Sequence, residues 1–545
     1  MRHIKRLWIR LGIVLLALAL LLPVTILRIK ADIAPGWQQD TSPVTLDWYI
    51  NFNWFGTPWD DRLFPATVTK ETGVGIRFFS PVGNADDMLN SLMLRDELPD
   101  LITLDWHAPQ VRDMINSGML YALDELADCY DPYFFEVAAP SCLSWYTQAD
   151  GHVYGYPNAS YTPEDYEKYD TLTANDTFLV RKDMYEAIGS PDMTTPEGFV
   201  AAVKKAAEVF PTVNGQPLIP IGSHPFDSLN DSLSFGDILR GFLAIPYLNE
   251  DGTYHDLYTD PEYITWLKAF RSLGAEGYLA TEIFIDQRIQ ISEKIAQGRY
   301  FCMFYRSSDM TEQQKVLWDT TPGAPGSMAY MAIDGPKNSK GNRYVLPGGS
   351  ISGWTLTLIP KSCKAPERAI RFLSYLMSQH GQELIWMGGP KGEVWEYDEN
   401  GIPRWLPEIQ EMYNTRRSDP GGFGETIGGD ADYWMLMNNP MGELWKGGFV
   451  EHVRQLKDWT RPYVTYTGQY TGITFPPDSP ELKADLKIRT EWSLTLPKLL
   501  LAESEEAFDA ILAEFVEKRA SYGFDLVVAE TERQIHRNIE KLGLK

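Results

Sequence analysis

Alternation of strand-like and helix-like runs between residues 44 and 126 constrains this chain more than any single motif does. Residues 44–50, 75–79 and the run 98–106, a short apolar strand ending in Asp105-Trp106-His107, are rich in β-branched, leucine and aromatic side chains, which suits buried strands. Between them, 64–70 reads as a short helix, and Met88, Leu89, Leu92 and Met93 fall at helical spacing within 86–94. Residues 111–120 read as a further helix, stopped near Gly118. Strand and helix taken in turn predict a parallel sheet covered by helices, an α/β class. Open sheets of this kind place ligands beyond the carboxyl ends of their strands, so Asp105-Trp106-His107 occupies a binding position.

A second strand and helix follow much later. Residues 351–359 read as a buried strand closed by Pro360. Pro366 opens a helix with Glu367 in its first turn, where a negative charge suits the helix dipole. Ala369, Phe372, Leu373, Leu376 and Met377 keep helical spacing, His380-Gly381 reads as the stop, and Gly388-Gly389-Pro390 breaks the chain. Near the C-terminus, Phe508, Ile511, Leu512, Phe515 and Val516 mark one helix, and Val527, Thr531, Ile535 and Ile539 mark another more weakly.

At 545 residues the chain is too long for one core, so two or three domains are expected. Hydrophobic content of 44% and charged content of 23% are those of a soluble globular protein. The net charge is −25, and residues 1–30 hold six Lys or Arg and no acid, so the remainder is more acidic still. Such a surface repels nucleic acid, whose phosphates need Lys and Arg. Of four cysteines, Cys129 and Cys142 lie close in sequence; a disulfide and two free thiols are both open, and no C-x-x-C pair occurs.

Arg2, Lys5, Arg6 and Arg10 precede the uncharged run 11–27, the layout of a secretory signal or a signal anchor. Basic residues ahead of the run outnumber Arg28 and Lys30 behind it, which predicts that residue 31 onward lies outside the cytoplasm. A good small-residue cleavage site is missing, so membrane anchoring by 11–27 is expected, with secretion after cleavage as the alternative.

Catalytic patterns are missing. The eight histidines are scattered without H-E-x-x-H, and neither a nucleophile elbow, a Walker loop nor a dinucleotide fingerprint occurs. The 74 acidic residues make a chance pairing of carboxylates easy, so they carry no argument for a glycosidase. The chain is expected not to be an enzyme and to need no cofactor or metal.

Several motifs occur in order: ELPDLITLDW at 97–106, SGMLYALDEL at 117–126, ADGHVYGYPN at 149–158, TFLVRKDMYEAIG at 177–189, TTPEGF at 194–199, RSLGAEGYLATE at 271–282 and KIAQGRYFCM at 294–303. Together they resemble family 1 extracellular solute-binding proteins, the capturing subunits of ABC importers. The return segment 348–389 is similar as well, so the likeness runs intermittently from about residue 43 to 545. The resemblance implies a two-lobed periplasmic-binding-protein-like α/β fold with the ligand cleft between the lobes, behind the N-terminal signal or anchor. It divides the chain into 1–30, a first lobe of 43–165 plus 347–390, and a second of 166–346 plus 391–545 with a helix-rich C-terminal part.

That resemblance implies capture of a carbohydrate, an oligosaccharide, for ABC permease subunits by a monomer at the cell surface. The alternatives are a glycoside-active enzyme, or a binding protein for peptides or sugar acids. The first cysteine is Cys129, so the lipid attachment common among such proteins is not expected. Several relatives carry a calcium loop where this chain has 211–217, a stretch with no carboxylate, and that site is expected to be lost. Sugars are held by flat aromatic faces and by polar groups that fix hydroxyls. The candidates are Trp54, Trp59, Trp106, Tyr154, Tyr156 and Trp354 for stacking, with packing as the competing role of each, above all for Trp354. Polar candidates are Arg306, Asn53, Asp105 and Asp227.

Overall fold

The computed structural model describes residues 34–169, 171–226, 233–321, 323–416, 419–428 and 451–544. The strands in chain order are β1 (Val44–Ile50), β2 (Val74–Phe79), β3 (Leu101–Asp105), β4 (Gly155–Asn158), β5 (Asp176–Arg181), β6 (Thr212–Val213), β7 (Gln216–Pro217), β8 (Ile219–Gly222), β9 (Tyr300–Arg306), β10 (Tyr330–Ala332), β11 (Leu346–Pro347), β12 (Thr355–Leu358), β13 (Trp395–Tyr397), β14 (Pro403–Trp405) and β15 (Val464–Thr465). Two sheets organise them. The first has the order β2-β1-β3-β12-β4 and the second β10-β5-β9-β8, so the chain builds two α/β lobes.

Alternation along β1 explains why the first sheet needs a helical layer on both faces. Leu46, Trp48 and Ile50 join one buried cluster with Phe372, Leu373 and Leu376, while Tyr49 points into another with Leu89 and Met114. β2 and β3 run parallel to β1, as the alternation predicts, whereas β12 and β4 enter antiparallel. The helices Ala85–Arg95 and Pro366–Met377 form where the spacing places them.

The return segment differs from its expected form in one detail. Ser378 leaves helical geometry at ψ 157°, and a second helix, Gln379–Met387, starts beyond it with the Ser378 hydroxyl accepting from Gly381 N–H. Gly381 is therefore not a stop; a Cβ there would lie 2.0 Å from the Tyr375 carbonyl oxygen, so the residue permits a close backbone approach. The stop is Gly388, left-handed at φ 86°.

The first lobe extends beyond residue 390, where the sequence reading gives the chain to the second. Val394, Trp395, Trp405, Ile409, Tyr413, Phe423 and Ile427 are buried with Trp37, Trp48 and Phe64 in one cluster. β13 and β14 close this addition as a hairpin that pairs Trp395 with Trp405. The second lobe takes Leu456 and the long helices Pro480–Leu500 and Glu505–Tyr522 into the core around β5, β8 and β9.

The stretch 211–217 is a two-residue hairpin, β6 and β7, turned through Asn214 and Gly215 at φ 51° and 77°. Positive φ at both central residues is the type I′ geometry that such hairpins require. Cys129 is exposed and Cys142 lies buried 3.1 Å from the Ser160 hydroxyl, and both are free thiols. Among the described residues no helix is long and apolar enough to cross a membrane, and the expected anchor 11–27 lies outside them.

Candidate functional site

Strand register fixes where the lobes face each other. Parallel β1 and β3 end at Ile50 and Asp105, β12 starts opposite Asp105 at Thr355, and β4 ends opposite Thr355 at Asn158. The chain leaves the first lobe after Asn158 and returns into it at Thr355, so this edge looks toward the second lobe. There β5 starts at Asp176, directly opposite Arg306 at the end of β9. β8 runs parallel to β9 and releases His224 at the same edge. The space between the two edges is the cleft.

The crossing segments are clamped by tyrosines. Tyr166 donates to the Gly349 carbonyl at 2.8 Å, and its ring meets that of Tyr466 edge-on at 5.1 Å. A Cβ on Gly348 would lie 2.0 Å from the Tyr166 hydroxyl, and one on Gly349 would lie 2.1 Å from the Tyr161 ring. β11 pairs with β15 beside them. A further contact joins the lobes at Trp145, whose carbonyl accepts from Lys541 of the last helix.

On the first lobe the edge is aromatic. Trp54, 49% exposed in the turn after β1, stacks on Trp354 with planes 7° apart, and Phe52 packs against both. Exposed Asn53 precedes Trp54 in that turn. Trp354 is half-buried, its side chain hydrogen-bonds Asp105, and its carbonyl accepts from Trp106 N–H at 3.2 Å. Burial pushes the Asp105 carboxyl above its ordinary range, against the opposing pull of His107 and the Trp354 hydrogen bond. The Trp106 ring approaches Gly472, which belongs to the second lobe's segment.

Three expected stacking residues sit elsewhere. Trp59 packs edge-on against Phe64, Phe78 and Phe372, and its indole N–H donates to Thr69 Oγ1 at 2.9 Å. Tyr154 and Tyr156 precede the cleft end of β4: Gly155 pairs with Leu358, at the far end of β12 from Thr355. The Tyr154 hydroxyl donates to Asp150, and Tyr156 packs on Phe134 while its oxygen accepts from Ala139 N–H. Asp227 lies outside the described residues.

The second lobe answers with a cavity of about 780 Å³ behind its edge. Arg306 lines it, with Nε 3.1 Å from Asp176 Oδ1 and its side chain 42% exposed. Asp176 is 2% exposed, and burial pushes its carboxyl up while Arg306 pulls it down. Arg306 N–H donates to His224 Nε2 at 3.0 Å, which places the His224 proton on Nδ1. Burial, aided by Arg306 and Arg288, holds the His224 pKa down at about 3, so the ring is neutral and stacks on Tyr305 at 4.0 Å. Tyr247 and Tyr470 stack at 4.4 Å along the cavity wall. Asp176, His224 and this tyrosine pair have no local sequence signature, because each partner comes from a distant segment. Among the described residues no three His, Cys, Asp or Glu side chains gather as for a metal ion.

No family model and no curated protein sequence matches this chain. Its structure is similar to several solved ones. The S. pneumoniae ABC-transporter substrate-binding protein FusA, in complex with kestose, aligns at a TM-score of 0.63 and 15% identity over 91% of this chain and 99% of that one. An HMO-binding solute-binding protein associated with an ABC transporter of Bifidobacterium longum infantis gives 0.63 and 14% over the same shares, 91% and 99%. The alginate-binding protein AlgQ2 gives 0.61 and 16%, covering 91% and 98%. The chain thus has the two-lobed α/β fold of ABC-transporter substrate-binding proteins, with its cleft between an aromatic edge and an arginine-bearing cavity.

Proposed function

We propose that this protein is an extracytoplasmic binding protein that captures a carbohydrate, an oligosaccharide, and delivers it to the permease of an ABC importer. One observation carries the reading. Two lobes meet at strand edges, one presenting the stacked Trp54 and Trp354 with Asp105, the other presenting Arg306 before a large cavity. Indole faces suit the apolar faces of sugar rings, and the polar groups suit hydroxyls. Similar structures include proteins that bind kestose, HMO and alginate.

Binding without chemistry is the better reading of the carboxylates. A glycosidase needs two of them free to act on one bond. Here Asp105 is held by Trp354, Asp176 by Arg306, Asp309 by Arg288 and Asp485 by Arg489, which leaves Asp237 as the one cavity carboxylate in no such contact among the described residues. Residues 11–27 would tether the monomer to the membrane beside its transporter, raising its local concentration there. Calorimetric titration of the full-length protein in detergent against neutral and acidic oligosaccharides tests the reading. Saturable binding at one site supports it, and no heat with any saccharide overturns it.

A further inference from the structure

The cavity of the second lobe carries more charge than a neutral sugar requires. Four arginines (Arg240, Arg288, Arg306 and Arg489) and three aspartates line it. With Asp176 behind Arg306 these charges balance, so access decides which sign a ligand meets. Three of these four acids are turned onto arginines, while Asp237 lines the cavity exposed and in no ion pair among the described residues. Asp309 accepts from Arg288 at 3.1 Å and Asp485 lies 3.0 Å from Arg489, while Asp176 is buried beneath Arg306. Arg240 donates to the carbonyls of Ile245 and Pro246, and among the described residues its charge has no counterion at hydrogen-bond range.

Arg306 is the open group. Only Nε of its guanidinium is engaged, and among the described residues its two terminal nitrogens make no hydrogen bond. Asp176 holds one edge of the planar fork, so the free donors are preoriented at the cleft mouth. On either side of it in the chain, Tyr305 and Ser307 are fully buried and do not line the cavity. Arg288, half exposed, lies over the Tyr305 ring at 5.9 Å. A guanidinium fork matches a carboxylate in two parallel hydrogen bonds, which a neutral hydroxyl cannot offer.

We propose that Arg306, backed by Arg288, recognises a carboxylate on the captured saccharide, so that the ligand is an oligosaccharide containing uronic acid. This rests on the carbohydrate reading and narrows it. The test titrates the full-length protein with oligomers of galacturonate, of mannuronate and of glucuronate-bearing xylan, each as the free acid and as the methyl ester, beside neutral oligosaccharides. The expected result is that a free acid binds at least about tenfold more tightly than its ester and that added salt narrows the gap. Arg306→Lys, which keeps a cation for Asp176 but loses the fork, should remove most of that preference. The double variant Arg306→Gln with Asp176→Asn, which leaves no buried charge unpaired, should do the same, with thermal unfolding as the check on folding. Equal affinity for acid and ester, binding of neutral saccharides alone, or an unchanged preference in Arg306→Lys overturns the inference and leaves the carbohydrate reading standing. No binding by any saccharide overturns both.

Discussion

Trp54 and Trp354, from opposite halves of the chain, stack with ring centroids 6.1 Å apart and planes 7° from parallel. The contact joins the turn after β1 to the crossing segment ahead of β12, and leaves Trp54 half exposed at the cleft edge. A flat apolar face is therefore held in place before any ligand arrives, which lowers the ordering cost of binding.

Truncation of that face should weaken binding with little effect on the fold. Trp54→Ala is expected to cost about 1–3 kcal/mol of affinity for the bound oligosaccharide, the range of an aromatic anchor. Its melting temperature should hardly move, because half of the side chain is already in water. Calorimetry and thermal unfolding on the same sample decide it; unchanged affinity with a lower melting temperature makes Trp54 a packing residue.

Trp59 should behave in the opposite way. Its ring is enclosed by Phe64, Phe78 and Phe372, so Trp59→Ala opens a cavity. A loss of about 3 kcal/mol in urea unfolding is expected, with ligand affinity retained at temperatures where the protein stays folded. A loss of affinity without a loss of stability would return Trp59 to the cleft.

Gly381→Ala separates propensity from packing. In an open helix this change gains about 1 kcal/mol. Here the added methyl would lie 2.0 Å from the Tyr375 carbonyl oxygen, so a net loss of about 1–3 kcal/mol is expected instead. A more stable variant in denaturant unfolding would show that the Ser378 break is not rigid.

Two histidines should give stability opposite pH dependences. His224 has its pKa depressed by burial first and by Arg306 and Arg288 after it, to about 3 from 6.5. Its contribution is full above pH 6.5 and falls as the pH drops toward 3, amounting to about 2 kcal/mol lost between pH 7 and pH 5. His380 has its pKa raised by hydrogen bonding to Glu71, so its smaller contribution is full below 6.5 and is lost as the pH rises through the folded value. Denaturant unfolding from pH 7 to pH 5 should show a falling stability that His224→Gln flattens. A variant as pH-sensitive as the parent would place the neutral ring elsewhere.

Most of the scaffold was legible because its signals are local. The runs at 44–50 and 101–105 carry their own strand chemistry, and Pro366 with the apolar period behind it carries its helix. What failed needs pairing across the chain. Tyr154 and Tyr156 look well placed before a crossing, yet the register of β4 with β12 puts Gly155, between them, at the end of the sheet away from the cleft. The second-lobe site was legible only at Arg306, since Asp176 meets it through the pairing of β5 with β9. The first lobe's extension to Ile427 did leave a trace: Trp395, Trp405, Tyr413 and Phe423 are an aromatic cluster that a polar tail would not carry.

Capture without chemistry is tested most directly by titrating the full-length protein with the oligosaccharide panel and then recovering the sugar by chromatography. The account predicts saturable binding of one ligand per chain, weakened in both Trp54→Ala and the Arg306→Gln, Asp176→Asn double variant, with every saccharide recovered intact. Absence of binding across the panel, affinity untouched by changes on both cleft edges, or steady release of shorter sugars would contradict it.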